Sequence, residues 1–522
     1  MAVSLRQKLH ELPAVVGLDD AEWARHGDEL LAASAAPADL PDILALLAPL
    51  AEPIGTAASP ARERLSDDRF WSPMLEKLWL GFTAGDLGKH LDTAAVTLAA
   101  QIYRQLGSTS RARHHLLRLL AASGQRDALK AFTELVVSDP PGESNEVLLA
   151  FVPLFQHKTY PPDALFPQLL DALHDATLAT VVLDLANYLA RSRRVANHPA
   201  ASRVDRLGIL LGGVVGRLAR LEESPQEFAR SAAELNQIVS ESTGLVVALV
   251  NALAIIGDAR VTGKLHQTLE LSHRRIRTEA ASALARLGDE RGTEVLVEMA
   301  AEPVVRLRAL AALEEVEQLE KVPAEHRSHE ARAAAELAVR LALPTYFGAP
   351  PNALELVDTC SQHWPGYEEA VDCYLFRYEY RAGERAFEGI GIAGPLVHAF
   401  RADLADLAPG DIYAAYAGWG TEHEEIRERS ADELSADEQA AWRERRGQLI
   451  ELGYDGPQLI KVGHFFGLTH FVASSRWHET PGVLVDDGHR AEWFPSSGAW
   501  RTVGPDEAYF IVKGRKLLRG QL

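Results

Sequence analysis

Along most of this chain apolar positions recur every three or four residues, and the breaks between the recurring runs are short. From Ser72 to Leu343 the runs include "SPMLEKLWLGFTAGD", "LDTAAVTLAAQIYRQLGS", "TSRARHHLLRLLAASGQ" and "RDALKAFTELVVSDPPG", closed by glycine or proline. This spacing predicts helices of roughly 12–16 residues with short connections, the rhythm of stacked helical hairpins. Residues 1–70 follow the same period in shorter pieces, with "DDAEWARHGDELLAASAA" starting on an aspartate cap and "ADLPDILALLAPLAEP" cut by Pro41, Pro49 and Pro53.

After Leu343 the pattern changes. Pro344, Gly348, Pro350 and Pro351 mark a boundary, and aromatic residues then thicken from Trp364 to Tyr380. "CYLFRYEYRAGERAFEGIGI" predicts two strands joined at Ala382–Glu384. "SADELSADEQAAWRERRGQL" predicts helix, with Ser435 and Glu438 as a capping box. "QLIKVGHFFGLTHFVAS", "GVLVDDGHRAEWF", "AWRTVG" and "AYFIVKGRKLL" read as further strands. Thr421 and Glu424 are placed to cap another helix.

An internal repeat lies within the helical region. "ALAIIGDAR", Ala252–Arg260, aligns with "ALARLGDER", Ala283–Arg291, at an offset of about 31 residues. Gly257 and Gly288 stand where a helix ends and positive φ is useful; Asp258 and Asp289 stand where the next helix needs a cap. "VVRLRALAALEEVEQL", Val304–Leu319, is an eroded third unit without the Gly-Asp turn. This pair resembles bacterial HEAT repeats, especially the phycobilisome-lyase-type HEAT-like repeat, over about Thr243–Leu319. "ANHPAASRVDRLGILLGGVVGRL" is also similar to a segment of bacterial HEAT-repeat proteins. The resemblance implies an α-solenoid and, for most relatives, a protein-binding surface. Some relatives are bilin lyases and others alkyl-purine DNA glycosylases, but the repeat itself carries no catalytic residue to transfer. The expected fold is therefore mainly α: an N-terminal helical segment over 1–70, a HEAT-like α-solenoid over 71–345, and a smaller C-terminal α+β domain with antiparallel strands over 346–522.

Composition narrows the functions. The chain has 522 residues, 47% hydrophobic and 24% charged, enough to bury large cores. Its net charge of −20 repels phosphate backbones, so nucleic-acid binding needs a strong local basic patch. Two cysteines, Cys360 and Cys373, fit a reducing compartment. No uninterrupted apolar window approaches the length of a membrane span, and the longest run is read near Leu207–Leu221. A cytoplasmic location is expected.

Candidate chemistry is sparse. Gly389, Gly391 and Gly394 have G-x-G-x-x-G spacing, but they fall in the second strand of a predicted antiparallel hairpin. A dinucleotide fingerprint needs strand, turn, helix and a parallel second strand. Close backbone packing is the better reading. Arg274, Arg277, Arg306 and Arg308 occupy equivalent helices of a solenoid and form a candidate ladder for an acidic partner. Tyr413, Tyr416 and Trp419 form an aromatic face; with His464 and His478 they are the candidates for a C-terminal pocket. His464, His470, His478 and His489 lack metal-ligand spacing, so no metal or cofactor is expected. The expected function is a protein-binding scaffold presenting the concave face of stacked hairpins, with another protein or peptide as partner and no membrane. One alternative is a lyase-like enzyme or small-molecule binder using the C-terminal domain, or a cleft between it and the solenoid. A second is a HEAT-type nucleic-acid-processing protein.

Overall fold

The computed structural model describes residues 4–12, 18–51, 71–106, 110, 112–141, 144–157, 159–362, 367, 369–383, 385–400, 404–419, 424–496 and 502–518. The chain divides into two units, Met1–Val295 and Leu296–Leu522.

The first unit is built of helices and contains no β-sheet among the described residues. Its longer helices run Thr93–Gln105, Ala112–Ser123, Arg126–Ser138, Ser144–Gln156, Ala176–Arg191, Val204–Glu223, Ala232–Ile256 and Arg274–Arg286. They stack with next-but-one neighbours in contact: Ala112–Ser123 on Ser144–Gln156, Ala176–Arg191 on Ala232–Ile256, and the latter on Arg274–Arg286, the short Thr262–Leu269 helix lying between them in sequence. The interfaces are leucine, valine and alanine, with Leu183, Leu185, Leu249, Leu253 and Leu284 fully buried. Asn187 bridges one such interface by donating to Ala248 O at 3.1 Å, and its own oxygen meets His198 Nε2 at 3.0 Å.

The repeat turns have the geometry their sequence predicts. Gly257 and Gly288 take φ of 75° and 80°, where a side chain would be strained. Asp258 then accepts from Arg260 N at 2.9 Å, and Asp289 from Arg291 N at 3.0 Å. Asp289 also meets His266 Nε2 at 2.9 Å, tying the turn to the short Thr262–Leu269 helix of the previous repeat.

Ala232–Ile256 corrects the reading of apolar content. It is long and apolar enough to cross a membrane by length and composition, although over half of its most apolar window is buried inside the protein.

The second unit combines helices with two antiparallel sheets. In the first sheet β1 (Ala353–Gln362), β2 (Val371–Ala382), β3 (Arg385–Ala393) and β4 (His398–Ala399) are neighbours in sequence order. In the second sheet β5 (Ile426–Ser430), β6 (Tyr454–Phe465), β7 (Leu468–Trp477), β8 (Thr480–Asp486) and β9 (Ala491–Pro495) are likewise a meander. The His329–Leu341 helix packs Leu337 and Leu341 against Tyr374, Phe376 and Tyr378 on one face of the first sheet. The Pro409–Trp419 helix covers the other face, with Tyr413 and Tyr416 against Leu375, Ile390 and Ile392. The second sheet is covered by Pro505–Leu518 on one side, through Tyr509 and Val512, and by Ala436–Glu451 on the other, through Leu449. Ser435 and Glu438 form the predicted capping box.

Three expectations fail here. "AYFIVKGRKLL" is not a strand but most of the Pro505–Leu518 helix. Its β-branched and aromatic run favours strand locally. Pro505, Asp506 and Glu507 in the first turn, with Arg515 and Lys516 in the last, match the helix dipole and outweigh it. The helix expected after Thr421 does not form among the described residues: Thr421 itself lies outside them, and the following Ile426–Ser430 is β5, paired with β6. Of "AWRTVG", residues 499–501 lie outside the described residues, and Thr502–Gly504 carries no strand.

Candidate functional site

The glycine triplet is a packing device. β2 and β3 are antiparallel, with Tyr378 opposite Gly389 and Phe376 opposite Gly391. A Cβ on Gly389 would stand 2.4 Å from the Tyr378 ring, and one on Gly391 2.7 Å from Leu337. A Cβ on Gly394 would stand 2.7 Å from Cys373 Sγ. The glycines thus let a tyrosine lie across the strand and a helix approach the sheet.

The four arginines fall in two units. Arg274 is exposed and Arg277 half-buried on the Arg274–Arg286 helix of the first unit. In the second unit Arg308 is half-buried, whereas Arg306 is 6% exposed. Its guanidinium donates to the carbonyls of Ala300 at 2.7 Å, Ala301 at 2.8 Å and Ala331 at 2.8 Å. It ties the end of one helix to the start of another and faces inward.

The C-terminal candidates do not converge. Tyr413 and Tyr416 are buried in the core cluster beneath the first sheet. The Tyr416 hydroxyl donates to Leu396 O at 2.5 Å and accepts from Leu396 N at 2.9 Å. Burial drives both hydroxyls far above the usual tyrosine range. The Trp419 side chain lies outside the described residues. His464 faces the Ala436–Glu451 helix, 2.9 Å from Glu438. The Ser435 cap, helped by His464, draws the Glu438 carboxyl down to about 2. His478 is exposed in the turn between β7 and β8, at φ of 47°. Among the described residues no three His, Cys, Asp or Glu side chains gather as a metal site requires.

A polar cluster that the sequence reading missed lies under the Pro505–Leu518 helix. Glu428 and Gly463 are register partners, as are Gly463 and His470, so all three share one sheet face with Lys461. Lys461 Nζ meets Glu428 at 2.6 Å and Asp506 at 2.7 Å. Lys513, 3% exposed, lies 3.9 Å from Glu428, and burial lowers its ammonium pKa. Tyr509 lies over Gly463, where a Cβ would meet its hydroxyl at 2.1 Å. His470 is fully buried, and burial pulls its imidazole down to about 4.

In the first unit a cavity of about 600 Å³ opens between helices, lined by Trp79, Phe82, Thr83, Ala84, Gly85, Arg118, Gln156 and His157. Arg118 stacks on Trp79, its guanidinium carbon 4.0 Å from the ring centroid. This pairing joins two helices distant in sequence, so the basic run "RARHHLLR" gave no sign of it.

Residues 219–315 match the family model described as HEAT repeats. The match contains both Gly-Asp turns, so the chain carries HEAT repeats over that span. No curated protein and no solved structure matches the chain.

Proposed function

We propose that this protein is a binding scaffold, with exposed helix faces of the first unit as its working surface and a protein or peptide as its partner. The match to HEAT repeats carries this reading, since stacked repeats of this kind present extended binding surfaces. The Val204–Glu223 helix supplies a specific face. Ile209 is 76% exposed there, flanked on the same side by exposed Arg206, Gly213, Arg217 and Arg220. An apolar side chain set among arginines suits an acidic segment carrying an apolar residue. The −20 net charge of the chain and the inward-facing Arg306 argue against the nucleic-acid reading. The low cysteine content supports a cytoplasmic location. The sequence resemblance supports a bacterial origin and kinship to the lyase-type repeats.

The test is affinity capture from native lysate with the full chain as bait, beside the Ile209→Asp/Arg217→Glu double variant. A stoichiometric partner held by the parent and lost by the variant, at unchanged melting temperature, supports the proposal. No reproducible partner with the parent refutes the scaffold reading. A partner kept by the variant refutes this face.

A further inference from the structure

Arg118 differs from three other inward-facing arginines of the first unit, Arg113, Arg194 and Arg203. Arg113 donates to Asp139 O at 2.9 Å and pairs with the Asp139 carboxylate. Arg194 donates to His157 O at 2.9 Å, and Arg203 to Leu170 O at 3.0 Å. Arg118 makes no such bond: its Nε is buried with no hydrogen-bond partner among the described residues, as are Arg113 Nε and Nη1 and Arg194 Nη2, but of these three arginines only Arg118 lines this cavity, where Trp79 Nε1 is in the same state. Buried donors are nearly always satisfied, so two orphans at one cavity call for an acceptor from outside. Burial draws the Arg118 guanidinium down to about 10, opposed only by the charge of exposed Glu76.

We infer that this cavity binds an organic monocarboxylate, with the carboxylate on Arg118 and the apolar body against Trp79, Phe82 and Ala84. Stacking on the indole uses the guanidinium face and leaves its edge N–H groups for a planar acceptor. None of the lining residues is acidic, in a chain whose net charge is −20. That lining disfavours a cation. A single arginine matches one negative charge, which favours carboxylate over a doubly charged phosphate. A volume of about 600 Å³ exceeds what an inorganic anion fills and lies in the range of small-molecule sites. His157 donates from Nε2 to Ala122 O at 2.5 Å, which fixes its ring at the cavity wall. The inference holds whichever face binds protein.

The test uses 1-pyrenebutyrate, its neutral amide 1-pyrenebutanamide, and the full chain. Pyrene accepts excitation energy from tryptophan, so binding beside Trp79 is read as sensitised pyrene emission. The carboxylate is expected to bind at least tenfold more tightly than the amide. Arg118→Gln is expected to remove that preference with at most a small fall in melting temperature, because the stack on Trp79 is lost but no hydrogen bond at Nε is. Trp79→Phe should keep the affinity and lose much of the energy transfer. A second arm uses a pentapeptide ending in Phe-Phe, as free carboxylate and as C-terminal amide. Preference for the pyrene carboxylate assigns a free small acid as the source; preference shown only by the peptide assigns a chain terminus. Equal binding of acid and amide in both arms, no binding at millimolar probe, or a preference that survives Arg118→Gln overturns the inference. So does an Arg118→Gln variant that melts well below the parent, since the arginine would then be structural.

Discussion

Gly514 is where the second unit is least able to accept a side chain. The Pro409–Trp419 and Pro505–Leu518 helices cross there, and a Cβ on Gly514 would stand 1.3 Å from Ala414 O and 2.1 Å from its carbonyl carbon. From the other side, a Cβ on Gly418 would stand 2.6 Å from Phe510 O. The obstacle in both cases is backbone, so no rotamer change relieves it. Ordinary contact begins at 3.4 Å, so Gly514→Ala must part the helices by about 2 Å. That displacement pulls Tyr413 and Tyr416 from the first sheet and Tyr509 and Val512 from the second. Overpacking of this kind costs about 1–3 kcal/mol and sometimes more, against about 1 kcal/mol gained in helix propensity. With the obstacle entirely backbone, the upper end applies, and the net loss is about 2 kcal/mol or more. For a unit of this size that is a fall in melting temperature of roughly 4–8 °C. Gly447→Ala is the control. It lies exposed in the Ala436–Glu451 helix with nothing within 4 Å of its Cβ, so the same substitution should stabilise by about 0.5–1 kcal/mol. Scanning calorimetry gives the two signs, and hydrogen exchange of residues 505–518 localises the effect. Equal shifts for the two variants, or undiminished protection of 505–518 in Gly514→Ala, would refute the close crossing.

Acid should weaken the fold through His470, against an opposing share from Asp184, whose carboxyl burial pushes up to about 6. His470 is a base whose folded pKa is lowered to about 4 by burial, so the unfolded chain takes up its proton first. Its stabilising share is whole above about pH 6.5 and is lost as pH falls toward 4, amounting to about 2 kcal/mol at pH 5. Urea midpoints from pH 7.5 to 4.5 should therefore fall, and His470→Phe should flatten part of that slope. His198, lowered by burial to about 4, keeps its own share in that variant. Arg306→Met removes three hydrogen bonds to carbonyls and should cost about 2–4 kcal/mol in urea unfolding while leaving partner capture intact; loss of capture at unchanged stability would show that Arg306 serves a surface. Gly389→Ala should cost about 1–3 kcal/mol by forcing the buried Tyr378 ring off its strand, and an unchanged urea midpoint would deny that contact.

What could be read from the sequence was local, and what could not was a matter of distance. The Gly257-Asp258 and Gly288-Asp289 turns were legible because left-handed backbone and a following cap are both set within three residues. The G-x-G-x-x-G spacing was legible as packing because its neighbours "RYEYRAGERAF" already specified an antiparallel hairpin, confirmed by Arg377 opposite Ile390. The last helix was misread because Tyr509, Phe510, Ile511 and Val512 favour strand as a group. Its helical state depends on burying Ala508, Tyr509, Ile511 and Val512 against a sheet formed elsewhere in the chain. The arginines show the limit most sharply. "RARHHLLR" reads as part of a helical run and Arg306 of "VVRLRAL" as part of a binding ladder, yet Arg113 is 1% and Arg306 6% exposed. Each is tolerated inside because a distant carbonyl or carboxylate meets it: Asp139 for Arg113, Ala331 for Arg306. Arg118, in the same run, stacks on an indole as Arg113 does on the Tyr103 ring but, unlike Arg113 and Arg306, donates to no oxygen among the described residues. The difference between a structural arginine and a binding one lies in that missing acceptor, which only the folded chain displays.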